Sequence, residues 1–173
     1  MAALAMALPA AVLHAALPTD TDVSGRTSFV GELLIAAPEM REPFDHAVIL
    51  LARHNRDGAL GIVINHPVAS RPIASVLEAL GVDSSGVTDS VQVFRGGPVQ
   101  PNVAFVVHTA EYHHPDTSKS LVAFGYAGWA ASQLEDELQR GAWVTVPEDP
   151  ALVFDDDRAK VWTDAVALNR TNR

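Results

Sequence analysis

Apolar and polar positions fall in blocks along this chain, and the blocks outline its elements. Residues 31–37 (GELLIAA) form a short apolar run ended by Pro38, the pattern of a first strand. Residues 47–52 (AVILLA) are aliphatic without interruption, which predicts a strand covered on both faces. The segment Arg53-His54-Asn55-Arg56-Asp57-Gly58 carries Asp-Gly turn chemistry. Residues 59–65 (ALGIVIN) then supply the returning strand of a hairpin, stopped by Pro67. Ile73, Val76, Leu77 and Leu80 recur at helical spacing, with Gly81 placed to close that helix. Residues 82–90 are polar. Residues 91–94 and 103–109 read as strands, separated by the sharp reversal Arg95-Gly96-Gly97-Pro98, and the His-rich residues 111–120 as a surface loop.

The second half starts with an apolar run at residues 121–124, a buried strand by its composition. Gly125-Tyr126-Ala127-Gly128-Trp129 then reads as a tight turn with aromatic surface, handing the chain into an amphipathic helix that stops before Gly141. Its apolar stripe is Ala127, Ala131, Leu134 and Leu138, while Glu135, Asp136, Gln139 and Arg140 point outward. Residues 142–146 form a strand ended by Pro147, and Asp149-Pro150 opens a turn. One of Asp155, Asp156 and Asp157 is expected to cap a last helix running to about Leu168. About six strands with three helices between and after them predict an α+β fold.

Composition narrows this picture. At 173 residues the length fits one domain, and 48% hydrophobic with 19% charged residues is ordinary globular content. The 21 acidic against 12 basic side chains give a net charge of -9, which repels a phosphate backbone, so direct nucleic-acid binding is disfavoured. With no cysteine there is no disulfide, thiolate metal site or Cys nucleophile. The Ala/Leu-rich start lacks the positive residues of a signal peptide and is broken by Pro9, so no membrane span is expected. Residues 1–28 are expected to be a disordered extension and linker ahead of a domain at residues 29–169.

Candidate chemistry is sparse. The chain holds no G-x-S-x-G, Walker A, H-E-x-x-H or G-x-G-x-x-G signature. His108, His113, His114 and Asp116 have suitable ligand types but no ligand spacing, so neither a metal nor a cofactor is expected. His54 and Asn55 sit at a hairpin tip, where turn chemistry already accounts for Asn55, and Asn65 either caps a strand end or faces a ligand. Gly96 and Gly97 permit close backbone approach, and the planar fork of Arg95 suits a carboxylate or phosphate. Gln133 and Glu137 are four apart on the flank of the helix stripe, one turn after Trp129, which reads as core or rim.

Several of these stretches together resemble one family. GELLIAAP, LLARHNRDGALGIVINHP, VFRGGPVQPNVAFVVHT, LVAFGYAGWAASQLEDELQRGAW and PEDPALVF, in that order, are similar to the AlgH/YqgE family, small bacterial proteins with no assigned biochemical activity. The resemblance implies a largely antiparallel, barrel-like sheet flanked by helices, a cytoplasmic location, and the label of transcriptional regulator that such proteins sometimes carry. The matching positions include His54, Asn55, Gly58, Gly61, Asn65, Pro67, Gly96, Gly97, Pro98, Gly125, Tyr126, Gly128, Trp129, Gln133, Leu134 and Glu137. Two departures stand out: His66 replaces a usual Lys or Arg, and a strand and helix expected between 111 and 121 are missing. The functional expectation is a non-enzymatic module that binds an unidentified protein or small molecule. Its candidate surface is His54, Asn55, Asn65, Arg95, Gly96, Gly97, Tyr126, Trp129, Gln133 and Glu137. The alternative is a hydrolase-like enzyme using Glu137 with His54 or Arg95, which requires those groups to converge.

Overall fold

The computed structural model describes residues 28–79, 83, 85, 88–108 and 120–171. The elements run β1 (Glu32–Ala36), β2 (Val48–Asn55), β3 (Gly58–Val63), β4 (Pro67–Pro72), α1 (Ile73–Ala79), β5 (Ser90–Arg95), β6 (Val99–His108), β7 (Ser120–Ala130), α2 (Gln133–Gln139), β8 (Trp143–Pro147), α3 (Pro150–Val153) and α4 (Val161–Thr171). The α+β expectation holds, as does the hairpin, in which His54 faces Ala59 and Asn55 faces Gly58. The counts do not: among the described residues there are eight strands rather than six and four helices rather than three.

Strand order is β4-β5-β7-β3-β2-β1-β8, with β6 also paired to β7. Every pairing is antiparallel except β5 with β7. The sheet is open, with β4 and β8 at its two ends, in place of the expected barrel-like closure.

Period-two alternation explains the central strands. Leu33, Ile35, Val48, Leu50, Ile62 and Ile64 project to one face, and Leu34, Ala36, Ile49, Leu51 and Val63 to the other. Both faces are covered, so the strands read as unbroken aliphatic runs. The first cluster takes Leu152, Val153, Val161 and Ala165 from α3 and α4, together with Phe94, Phe105 and Leu121 from β5, β6 and β7. Strands β1, β2, β3, β5, β6, β7 and β8 therefore share one core with α3 and α4. The second cluster is closed by Leu134 of α2 with Trp129 and Trp143. A third, smaller cluster packs Val76 of α1 against Val91, Val93 and Val122.

Three local readings are corrected. Residues 125–129 are not a turn, because β7 runs 11 residues through them to Ala130, and only Gly125, at φ 75°, takes a left-handed conformation. The helix accordingly starts at Gln133, so Ala127 belongs to a strand. The returning strand already ends at Val63, and Pro67 does not stop it but begins another, the edge strand β4, which tolerates Pro67 and Pro72 at its limits. Asp155, Asp156 and Asp157 precede the turn at residues 158–160 that leads into α4, and the Asp157 carboxylate accepts from the backbone amides of Ala159 and Lys160 there, so the expected cap lies one turn ahead of the helix itself. A second capping aspartate is Asp149, which accepts from the Ala151 amide at 2.8 Å and starts the one-turn α3. Residues 1–27, the Gly81 cap, most of the polar loop at 82–90, the group His113, His114 and Asp116, and the departure between 111 and 121 lie outside the described residues.

Candidate functional site

The predicted residues fall at separate places on the sheet. At one end, β2, β3 and β7 place His54, Ala59 and Trp129 side by side across the ladder, under α2. Trp129 is 7% exposed and its ring meets that of Trp143 edge-on at 5.9 Å. Both indoles donate to one oxygen of Glu137, at 2.8 Å from Trp129 and 2.7 Å from Trp143. The other carboxylate oxygen accepts from Gln133 Nε2 at 2.9 Å, and Gln133 Oε1 accepts from the Ala130 amide at 3.0 Å. Gln133 thus ties the end of β7 to the first turn of α2, where Ser132 gives no side-chain cap. Burial works to raise the Glu137 pKa, but bonds from Gln133, Trp143 and Trp129, with Arg140 nearby, outweigh it and hold the carboxyl below its ordinary value.

His54 lies beside this knot without joining it. Its Nδ1 accepts from the Phe29 amide at 3.3 Å, which leaves Nε2 as the protonated nitrogen, donating to Glu135 at 3.2 Å. Asn55 accepts from the Asp57 amide at 2.9 Å, an Asx turn that shapes the hairpin tip. Asn65 is buried. Its oxygen accepts from the Val48 amide and its nitrogen donates to the His46 carbonyl, both at 2.8 Å, which clamps the start of β2 to the chain leaving β3.

The reversal Arg95-Gly96-Gly97-Pro98 crosses β7 closely enough to explain its glycines. A Cβ on Gly96 would stand 2.3 Å from the Gly125 carbonyl oxygen, and one on Gly125 would stand 2.4 Å from that of Gly97. The Gly96 amide donates to Phe124 at 2.8 Å, and its carbonyl accepts from the Val63 amide at 2.9 Å. Tyr126 packs edge-on against Phe105 at 5.9 Å. Arg95 points to the surface, where it pairs with Glu42 at 3.3 Å. Arg95 is registered to Phe124, five residues along β7 from Trp129, so it stands on the order of 15 Å from the indole knot.

Beside Arg95 opens a groove of about 540 Å³, walled by β4, the first turn of α1, β5 and the Pro98–Pro101 arch. Val76, Val93 and Phe124 form an apolar floor, while Arg71, Ser75 and Arg95 are the polar lining groups. Register explains the arrangement. Arg71 is opposite Val91, and Val91, Val93 and Arg95 alternate to the same face. Of the predicted residues this groove uses Arg95 and Gly97; sequence reasoning missed Arg71 and Val68, because the proline-bounded PVASRP was assigned to no element. Also missed were Trp143 and Glu135, the partners of Glu137 and His54. Among the described residues no group of three or more metal-ligating side chains converges, and no helix is long and apolar enough to cross a membrane.

Fold and site together define a one-domain α+β protein built on an open, mostly antiparallel sheet, with a ligand-sized groove at one end. Comparison with known proteins places it further. The AlgH-like family model matches residues 33–120 and 111–172, and the chain belongs to that family. It is similar to the UPF0301 protein of Caulobacter vibrioides, 34% identical over 80% of this chain and 85% of that protein. The UPF0301 protein of Sphingopyxis alaskensis is 35% identical over 82% and 89%. Among solved structures, the AlgH protein of Pseudomonas aeruginosa matches with a TM-score of 0.63 at 32% identity, covering 86% of this chain and 92% of that one. A Corynebacterium diphtheriae protein, 23% identical with a TM-score of 0.61, shares the fold over 78% and 83%.

Proposed function

We propose that this chain is a binding module whose working surface is the groove beside Arg95, with the Glu137 knot as the scaffold that fixes the far end of the sheet. The observation that carries the reading is the groove itself: about 540 Å³, apolar in its floor, with a few polar groups at its margin. That is the size and lining of a small-ligand site. The hydrolase-like alternative needs Glu137 to meet His54 or Arg95. Its carboxylate is bonded instead to Trp129, Trp143 and Gln133, while His54 is bonded to Phe29 and Glu135. On this reading any effect on transcription passes through the ligand or a protein partner, since a net charge of -9 opposes contact with a nucleic-acid backbone.

The test is a protein-observed NMR screen of small apolar compounds. Saturable shifts should gather on the amides of Ala69, Ser75, Val93 and Gly97. Ser75 is exposed, so Ser75→Trp blocks the groove without disturbing a core, and it should abolish those shifts while leaving the melting temperature within a few degrees. Saturable shifts that gather elsewhere, or that survive in Ser75→Trp, would overturn the proposal.

A further inference from the structure

We infer that the groove beside Arg95 selects an amphipathic anion, a small molecule with an apolar body and a carboxylate or phosphate head. The inference rests on the binding reading above and goes beyond it by naming the ligand chemistry. Three observations support it. The first is charge. In a chain of net charge -9, the only ionisable side chains lining the groove among the described residues are two arginines, Arg71 and Arg95, and the one carboxylate paired with them, Glu42 on Arg95, lies outside the lining. The groove is therefore a cationic spot on an anionic molecule, which attracts a small anion and repels a cation.

The second is availability. Arg71 has no hydrogen-bond or ion-pair partner among the described residues, and it lies on an edge strand. Among the described residues Arg95 pairs only with Glu42, at 3.3 Å with both side chains at least half exposed, which is a weak, screened contact that an incoming anion can replace. A guanidinium offers a planar fork suited to carboxylate and phosphate oxygens. The third is geometry. The two arginines share a sheet face and are separated by about four residues of strand, roughly 13 Å between Cα atoms, with Val93 between them. Side chains of arginine length reach inward from both sides over the floor of Val76, Val93 and Phe124. The floor takes an apolar body, and the head lies within reach of at least one guanidinium. Val68, 66% exposed at the rim, extends the apolar surface outward.

The experiment compares four monomeric probes with the same chain on the full-length protein, by NMR titration below their micelle concentrations. These are octanoate, octyl phosphate, octanol and octyltrimethylammonium, with inorganic phosphate as the head alone. Octanoate and octyl phosphate should bind with groove shifts about tenfold tighter than octanol, the scale of one charge-assisted pair, and the cation should bind weakest. R71Q/R95Q should bring octanoate to within about twofold of octanol, and R71K/R95K should restore part of the preference. V68E, at an exposed position, should weaken octanoate while sparing octanol. Octanol binding as tightly as octanoate, or an unchanged ratio in R71Q/R95Q, would overturn the anion assignment and leave the binding module standing. Inorganic phosphate binding as well as octyl phosphate would overturn the amphipathic half. Flotation with phosphatidylglycerol vesicles, without shifts from monomeric octyl phosphate, would reassign the anion to a membrane surface and overturn the small-ligand form. If no probe saturates the groove, both readings fall together.

Discussion

At the scale of single residues, most polar groups that drew notice in the sequence are fasteners. Glu137 receives three hydrogen bonds from three side chains. Glu137→Gln removes the charge that strengthens them and, with its oxygen kept on the two indoles, sets its amide donor against the Gln133 amide. A loss of about 1–3 kcal/mol is expected in urea unfolding, with a shift in Trp emission as Trp129 and Trp143 exchange a charged acceptor for a neutral one. The depressed pKa fixes the pH response. The folded state holds the carboxylate more readily than the unfolded chain, so its contribution is present above the ordinary glutamate value and is lost as pH falls through the folded one. His66 loses stability in the same direction and at higher pH. Its Nε2 donates to the Asp45 carbonyl at 3.0 Å, and its buried Nδ1 has no partner among the described residues. Burial first, then the charge of Arg95, lowers its pKa against the raising effects of the Asp45 carbonyl and of Glu42 and Asp45. Stability should therefore fall as pH drops below the ordinary histidine value toward the folded one, and His66→Gln should remove that part of the pH profile. Asn65→Ala strands the Val48 amide and the His46 carbonyl, for an expected cost of about 2 kcal/mol by thermal or urea melts. The i,i+4 spacing of Gln133 and Glu137 was legible in the sequence. That two tryptophans from different strands complete the set was not, because it depends on how α2 lies across the sheet.

At the scale of elements, the aliphatic runs and the Asp-Gly hairpin were legible because burial on two faces and turn chemistry are both local. The glycine-rich segments were not, because the constraint on them is a crossing of two chain segments distant in sequence. Gly125 in isolation signals a turn, but here its positive φ lets β7 bend and continue while residues 96–97 pass over it. Either chain would need to move by about an ångström to admit a methyl group. Gly96→Ala is thus expected to cost more than about 2 kcal/mol or to prevent folding, read from soluble yield and melting temperature. By contrast Gly141→Ala meets no atom within 4 Å, and only its positive φ of 74° opposes the change, so its cost should be nearer 1 kcal/mol. The edge strand β4 was hidden by prolines that an interior strand would not tolerate, and with it went one wall of the groove.

At the scale of the molecule, composition and segment order led to the α+β class and the family, while the sheet's extent and the place of the groove depended on pairings that no single stretch encodes. Arg95 was legible as an anion-competent side chain. Arg71 was not, because nothing in the sequence says that the two lie on one face, four residues of strand apart. The way β7 is paired has one further consequence. Its first half is bonded to β5 and β6 and its last residues to β3, so this strand is shared by the half of the sheet that carries the groove and the half that carries the indole knot. Neither half can open completely without breaking bonds made by this strand. Amide hydrogen exchange should accordingly show β3, β5 and β7 sharing a single slow opening reaction, with the outer strands β4 and β8 exchanging through smaller, independent ones. A ligand held in the groove would then slow exchange at Ala127 and Gly128, remote from it, as well as at Val93, making the protection pattern a readout of occupancy that needs no knowledge of the ligand's identity.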